Sequence, residues 1–145
     1  MLSKRSLAVL AVGLVLSGAQ PSRAQNAERY KVRLTTVPMD GGMRATVAGS
    51  GSATAVLADT KLTINGTFAG LRSAATEARL YRGTARGVRG SAIGDLVVAK
   101  AVSGALSGSM DLTPQQVRDL REGRLYIQIA SEKAPDGNLW GWLLR

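Results

Sequence analysis

The stretch "KLTINGTF", residues 61–68, decides the fold. Leu62, Ile64 and Phe68 fall on one side of an extended chain, and Lys61, Thr63, Asn65 and Thr67 fall on the other. A side-chain period of two marks a half-buried β-strand, because successive side chains of a pleated backbone point to opposite faces. The pattern recurs along the chain. Tyr30, Val32 and Leu34 oppose Lys31, Arg33 and Thr35, and "RLYIQIA" sets Leu125, Ile127 and Ile129 against Tyr126, Gln128 and Ala130. "ALSGSMDL" aligns Leu106, Met110 and Leu112, and "DLVVA" is a short β-branched run. Glycine, 17 of 145 residues, sits mostly between these runs. Short alternating segments joined by Gly-rich turns predict an all-β fold, an antiparallel sandwich or barrel.

One segment breaks the period. In "LTPQQVRDLREG", residues 112–123, Thr113 suits an N-cap, Pro114 the first helical position, Gln116 the return arm of a capping box, and Gly123 the C-terminal stop. The reading is one short connecting helix. Val117 and Leu120 face inward, and Arg118, Asp119, Arg121 and Glu122 form an exposed charged face. Residues 37–51, poor in large apolar side chains and rich in glycine, read as a loop.

The first 24 residues carry Lys4 and Arg5, an apolar run from Leu7 to about Leu16, and Ser22-Arg23-Ala24 with small residues where a signal peptidase reads. This predicts a secretory signal peptide, residues 1–24, cleaved to leave a single domain, residues 25–145. The apolar run is shorter than the ~20 residues a spanning helix needs, so no transmembrane span is expected after cleavage. The expected location is periplasmic or secreted. Without cysteine, the domain has to hold together through its core and its strand ladder alone.

Of 19 basic and 10 acidic residues, the leader takes Lys4, Arg5 and Arg23, so the remaining chain carries +6. A positive field attracts anionic headgroups, acidic polysaccharide or an acidic protein. Three Arg-Gly pairs, at Arg82, Arg86 and Arg89, have the form of RNA-binding tails, but one short cluster with a single aromatic reads as a solvated loop. No nucleic-acid partner is expected.

The absence of histidine and cysteine removes most site chemistry. Ser-His-Asp and Cys-His nucleophilic arrangements are impossible, and a zinc, copper or haem site built on imidazole or thiolate is excluded. Asp40, Asp59, Asp95, Asp111 and Asp136 are scattered among turns, where aspartate commonly serves the backbone. Glu77, Glu122 and Glu132 lie in no motif. The expectation is no enzyme, no cofactor and no metal.

Three stretches together resemble the CHRD domain, named after chordin. They are "SAATEARLYRG" after Gly70-Leu71, "SGSMDLTPQQVRDLREGRLYIQIAS", and the ending "KAPDGNLWGWL". The similarity runs from about Tyr30 to Leu144. It implies an all-β Greek-key domain akin to the copper/zinc superoxide dismutase sandwich. Family members typically carry His-x-His where this chain has Arg79-Leu80-Tyr81, and another histidine where it has Ala130. Two side chains at i and i+2 of a strand share a face, so this reads as a family site emptied of imidazole.

What stands there instead suggests a surface. "NLWGWLL" puts Trp140 and Trp142, the two tryptophans of the protein, on one face and Leu139 and Leu143 on the other. The indoles either fill the core or cover an edge, or they join Arg79, Tyr81, Tyr126 and Gln128 in a contact patch with cation-π pairing. Tyr, Trp and Arg dominate binding hot spots. The sequence therefore predicts an exported, non-enzymatic binding domain that touches a protein or an anionic cell-envelope component through those six residues. Two rival readings are a purely structural envelope module with non-specific anion affinity, and a metal-binding or superoxide-dismutase-related protein.

Overall fold

The computed structural model describes residues 27–145; the predicted signal peptide lies outside the described residues. Eight antiparallel strands close into a barrel: β1 (Glu28–Thr36), β2 (Ser50–Ala58), β3 (Lys61–Ala69), β4 (Ala75–Gly83), β5 (Gly90–Val98), β6 (Gly104–Asp111), β7 (Leu125–Ser131) and β8 (Ala134–Trp142). One α-helix among the described residues, α1 (Pro114–Arg121), connects β6 to β7. Around the barrel the order is β1-β2-β3-β6-β5-β4-β7-β8. The chain skips from β3 to β4, returns through β5 to β6 beside β3, and crosses back through α1 to β7. This is a Greek key, as expected.

Two strands make the corners. β1 pairs with β2 from Glu28 to Leu34 and then passes to β8 through Thr35 and Thr36. β5 pairs with β4 through Leu96 and then with β6 through Val97 and Val98. These two short seams close the ring of described strands.

The period-two residues meet inside. Leu34, Leu62, Ile64, Leu80, Ile127 and Leu139 have no solvent exposure, and Tyr30, Val32, Phe68 and Leu106 lie with them in one cluster. Burial of each such side chain is worth about 1.5–3 kcal/mol over leaving it exposed. A core of this size accounts for stability without disulfides.

Helix α1 closes one end of the barrel. Thr113 accepts a hydrogen bond from the Gln116 amide, and the Gln116 side chain accepts one from the Thr113 amide, which forms the expected capping box. Gly123, at φ 75°, ends the helix: its amide donates to the Leu120 carbonyl and the Arg124 amide to that of Asp119. Val117 and Leu120 join the core as predicted.

Contrary to the expectation from sequence, Asp119 does not stand on an exposed face. Its side chain is fully buried and faces Arg82 at the end of β4. Alternation puts Arg82 on the inward side of its strand, at the barrel mouth that the helix covers. Residues 37–49 form the loop expected over 37–51, whose last two residues, Ser50 and Gly51, instead begin β2; the loop is tightened by a 3-10 turn at Met43–Ala45 and folds back onto β8.

Candidate functional site

The outer face of β4, β7 and β8 carries all six predicted residues, aligned by strand register in two rows. Tyr81, Tyr126 and Trp142 stand in one row, and Arg79, Gln128 and Trp140 in the next. The inward neighbours Leu80, Ile127, Ile129 and Leu139 fix each strand by burial, so the outward residues have no freedom to turn away.

The rings pack on one another. Tyr81 stacks on Tyr126 with centroids 5.1 Å apart and planes at 11°. Trp142 tilts against Tyr126 at 4.5 Å, and Trp140 meets both Tyr126 and Trp142 edge-on, at 5.8 and 5.6 Å. Tyr126 lies at the centre and is buried, whereas Tyr81, Trp140 and Trp142 are half-buried. The tryptophans are therefore neither core residues nor free side chains. They form a platform with Tyr126 buried at its centre, and burial pushes the Tyr81 phenol above its ordinary pKa.

Gly83 makes room for the platform. A Cβ there would come within 2.8 Å of the Trp142 ring tip and 2.3 Å of the Val88 carbonyl oxygen. The Val88 carbonyl belongs to the turn between β4 and β5, which is tied to the platform by the Gly90 amide donating to the Tyr126 hydroxyl at 3.1 Å.

The cation over the indole is Arg89 of that same turn, 5.8 Å from the Trp140 ring. Arg79 has a different role. It is clamped by Glu77 at 3.1 Å and Asp95 at 2.9 Å, which, Glu77 first, hold its guanidinium above the ordinary pKa. Gln128 donates to the Asp136 carbonyl at 3.2 Å, while its own side-chain oxygen is buried without a partner. Ala130 is buried opposite Glu77, one row from Arg79.

The sequence reading passed over several residues that shape this face. Asn138 is fully buried; it accepts from the Ala48 amide at 3.2 Å and donates to Ser131 at 2.9 Å. It thereby pins the loop whose Val37, Val47 and Met43 pack with Trp140. On the other flank, Lys31, Arg33 and Thr35 project outward from β1 beside Trp142. Their alternation with Tyr30, Val32 and Leu34 was the available signal.

A second cluster lies near the helix end. Glu28 receives hydrogen bonds from Arg121 and Tyr30 and pairs with Arg145 at 2.8 Å. These contacts, Arg121's first, bring its carboxyl pKa down to about 2. Among the described residues no three acidic side chains converge as a metal-binding group, and no helix is long and apolar enough to cross a membrane.

Fold and face together define a closed Greek-key barrel domain whose distinctive side chains form a sheet surface rather than a cleft. The family model of the CHRD domain matches residues 30–143, and the chain belongs to the CHRD domain family. CHRD domains are binding-type, typically extracellular domains, and the family in general is non-enzymatic. No curated protein and no solved structure matches the chain.

Proposed function

We propose that this CHRD domain is exported by its first 24 residues and works by surface contact, holding a protein or a cell-envelope component against the outer face of β4, β7 and β8. The two-row platform carries this reading: Tyr81, Trp140 and Trp142 offer rigid, half-exposed rings whose packing is already settled before a partner arrives. Rigid aromatic side chains lose little entropy on binding and anchor hot spots. Arg79 and Gln128 supply polar contacts beside them, and Tyr126, buried at the centre, supports the rings.

A photo-crosslinking residue in place of Arg79 or Tyr81, expressed in the exporting cell, tests the reading. The expected result is one recurring adduct from these positions and none from Thr63, which is exposed on β3 in the opposite wall. Equal labelling from all three positions, or no adduct at all, would remove this face from consideration.

A further inference from the structure

The groove between β1 and β8 differs in character from the platform it adjoins. It is an open groove of about 410 Å³ lined by Lys31, Arg33, Thr35, Trp142, Leu144 and Arg145. Thr35 pairs with Trp140 and Lys31 with Leu144, so the same register sets Arg33 across from Trp142. Arg145 is held by Glu28 and lies over the Tyr30 ring. Lys31 and Arg33 are exposed and have no carboxylate partner among the described residues. One fixed indole thus borders two unneutralised cations and a hydroxyl.

The geometry points to a binding site for an acidic polysaccharide, with one uronate ring against Trp142 and its carboxylate between Lys31 and Arg33. The C–H face of a pyranose packs on the negative face of an aromatic ring, and a carboxylate on the ring edge reaches cations at the rim. A volume near 410 Å³ falls within the ~300–1,000 Å³ range of small-ligand sites and has room for about one or two sugar rings. A bilayer fits less well, because Trp142 and Leu144 are recessed and half-buried, whereas the exposed large apolar side chains Met39, Val88, Val97 and Val102 are not among the groove's lining. Single-stranded nucleic acid uses successive aromatic platforms along a basic track. Here one indole and two unpaired cations face the groove.

This assignment deepens the contact reading and rests on it for Trp142, so its test uses a ligand of defined chemistry. Tetragalacturonate is titrated into the protein purified from the exporting cell, and backbone amide and indole N–H signals are followed by NMR. Saturable shifts confined to β1, β8 and Trp142 are expected, with a neutral tetrasaccharide binding at least about tenfold more weakly. Lys31→Gln with Arg33→Gln is expected to weaken binding about tenfold or more, and Trp142→Phe about fivefold with unchanged circular dichroism. Lys61→Gln, on β3, changes net charge without touching the groove and is expected to leave affinity within about twofold.

Absence of saturation, equal binding of the neutral sugar, or an equal loss with Lys61→Gln would overturn the assignment. So would tighter binding of phosphatidylglycerol vesicles or oligothymidylate through the same residues. A crosslink from the Tyr81 position that survives such a failure would leave the contact reading standing and this one alone refuted.

Discussion

The Arg82 guanidinium lies 2.6 Å from the Asp119 carboxylate, whose side chain has no solvent exposure. Asp119 is joined more loosely by Arg124 at 4.0 Å and by Gln115, which donates at 3.2 Å. The pair ties helix α1 to the end of β4 and so holds the plug in the barrel. Its two members are not equivalent, because Arg82 is 44% exposed and can return to water whereas Asp119 cannot. Removing Arg82 leaves a buried charge with only the Gln115 hydrogen bond and the longer contact to Arg124, at a cost of about 3 kcal/mol. Asp119→Asn strands a cation that solvent can reach, at about 2 kcal/mol or less. Urea unfolding is expected to rank Arg82→Met as the more damaging change, with the double variant costing less than the sum. An additive pair would show that the contact contributes nothing to stability.

Glu28 supplies a dependence on acid. Its folded pKa of about 2 lies below the ordinary carboxylate value of 4.5, since the carboxylate is held first by Arg121, then by Tyr30 and Arg145. As pH falls, the unfolded chain takes up the proton first, so the stabilisation is complete above about pH 5 and is lost by about pH 2. The melting temperature of the wild type is expected to fall across that window more than that of Glu28→Gln. At neutral pH the Glu28→Gln variant is expected to be about 1–2 kcal/mol less stable, given partly exposed partners. Parallel melting curves for both proteins from pH 6 to pH 2 would refute the assignment.

The barrel was legible where strands alternate large apolar and polar side chains, as β1, β3 and β7 do. β2 was harder, because Ala53 and Ala55 occupy two of its inward positions and small residues give a weak period. β5 begins at Gly90, ahead of the β-branched run that announced it, since Gly90 and Gly94 carry no side chain to show a face. The six-residue face was legible because register follows alternation once neighbouring strands are known. Two facts about it were not. Tyr126 is buried between its row neighbours rather than exposed with them, and Arg89 rather than Arg79 approaches an indole. Both depend on how the 84–89 turn folds over the sheet, and turns carry no periodic signal. The burial of Asp119 was hidden for a related reason: only the crossing of α1 over the barrel mouth brings it to Arg82.

Asn138 controls how firmly residues 37–49 cover β8. Its side chain bridges the Ala48 amide and Ser131, and all of its polar capacity there is out of water. Asn138→Ala is expected to cost about 2 kcal/mol, because the buried Ser131 hydroxyl and the half-buried Ala48 amide lose their hydrogen bonds at once. Amide hydrogen exchange should rise at Ala48 and Val47 while the amides of β7 stay protected. Uniform acceleration across β7 and β8 would mean instead that the loop and the sheet open as one unit.

Tyr81 and Tyr126 stack face to face, yet the structure gives them opposite duties. Tyr126 is buried at the centre of the platform and its hydroxyl holds the Gly90 amide. Tyr81 lies half-buried at the platform's β4 side and has its outer surface free for a partner. Tyr126→Ala is expected to cost about 3–5 kcal/mol, as for other large aromatic truncations in packed sites. Tyr126→Phe is expected to cost about 1 kcal/mol and to speed exchange of the Gly90 amide, since only the hydrogen bond is lost. Tyr81→Ala is expected to cost about 1 kcal/mol, for the lost stack alone, while reducing recovery of the crosslinked partner from the Arg79 position. Equal destabilisation by the two alanine variants would make Tyr81 a packing residue and withdraw it from the contact surface.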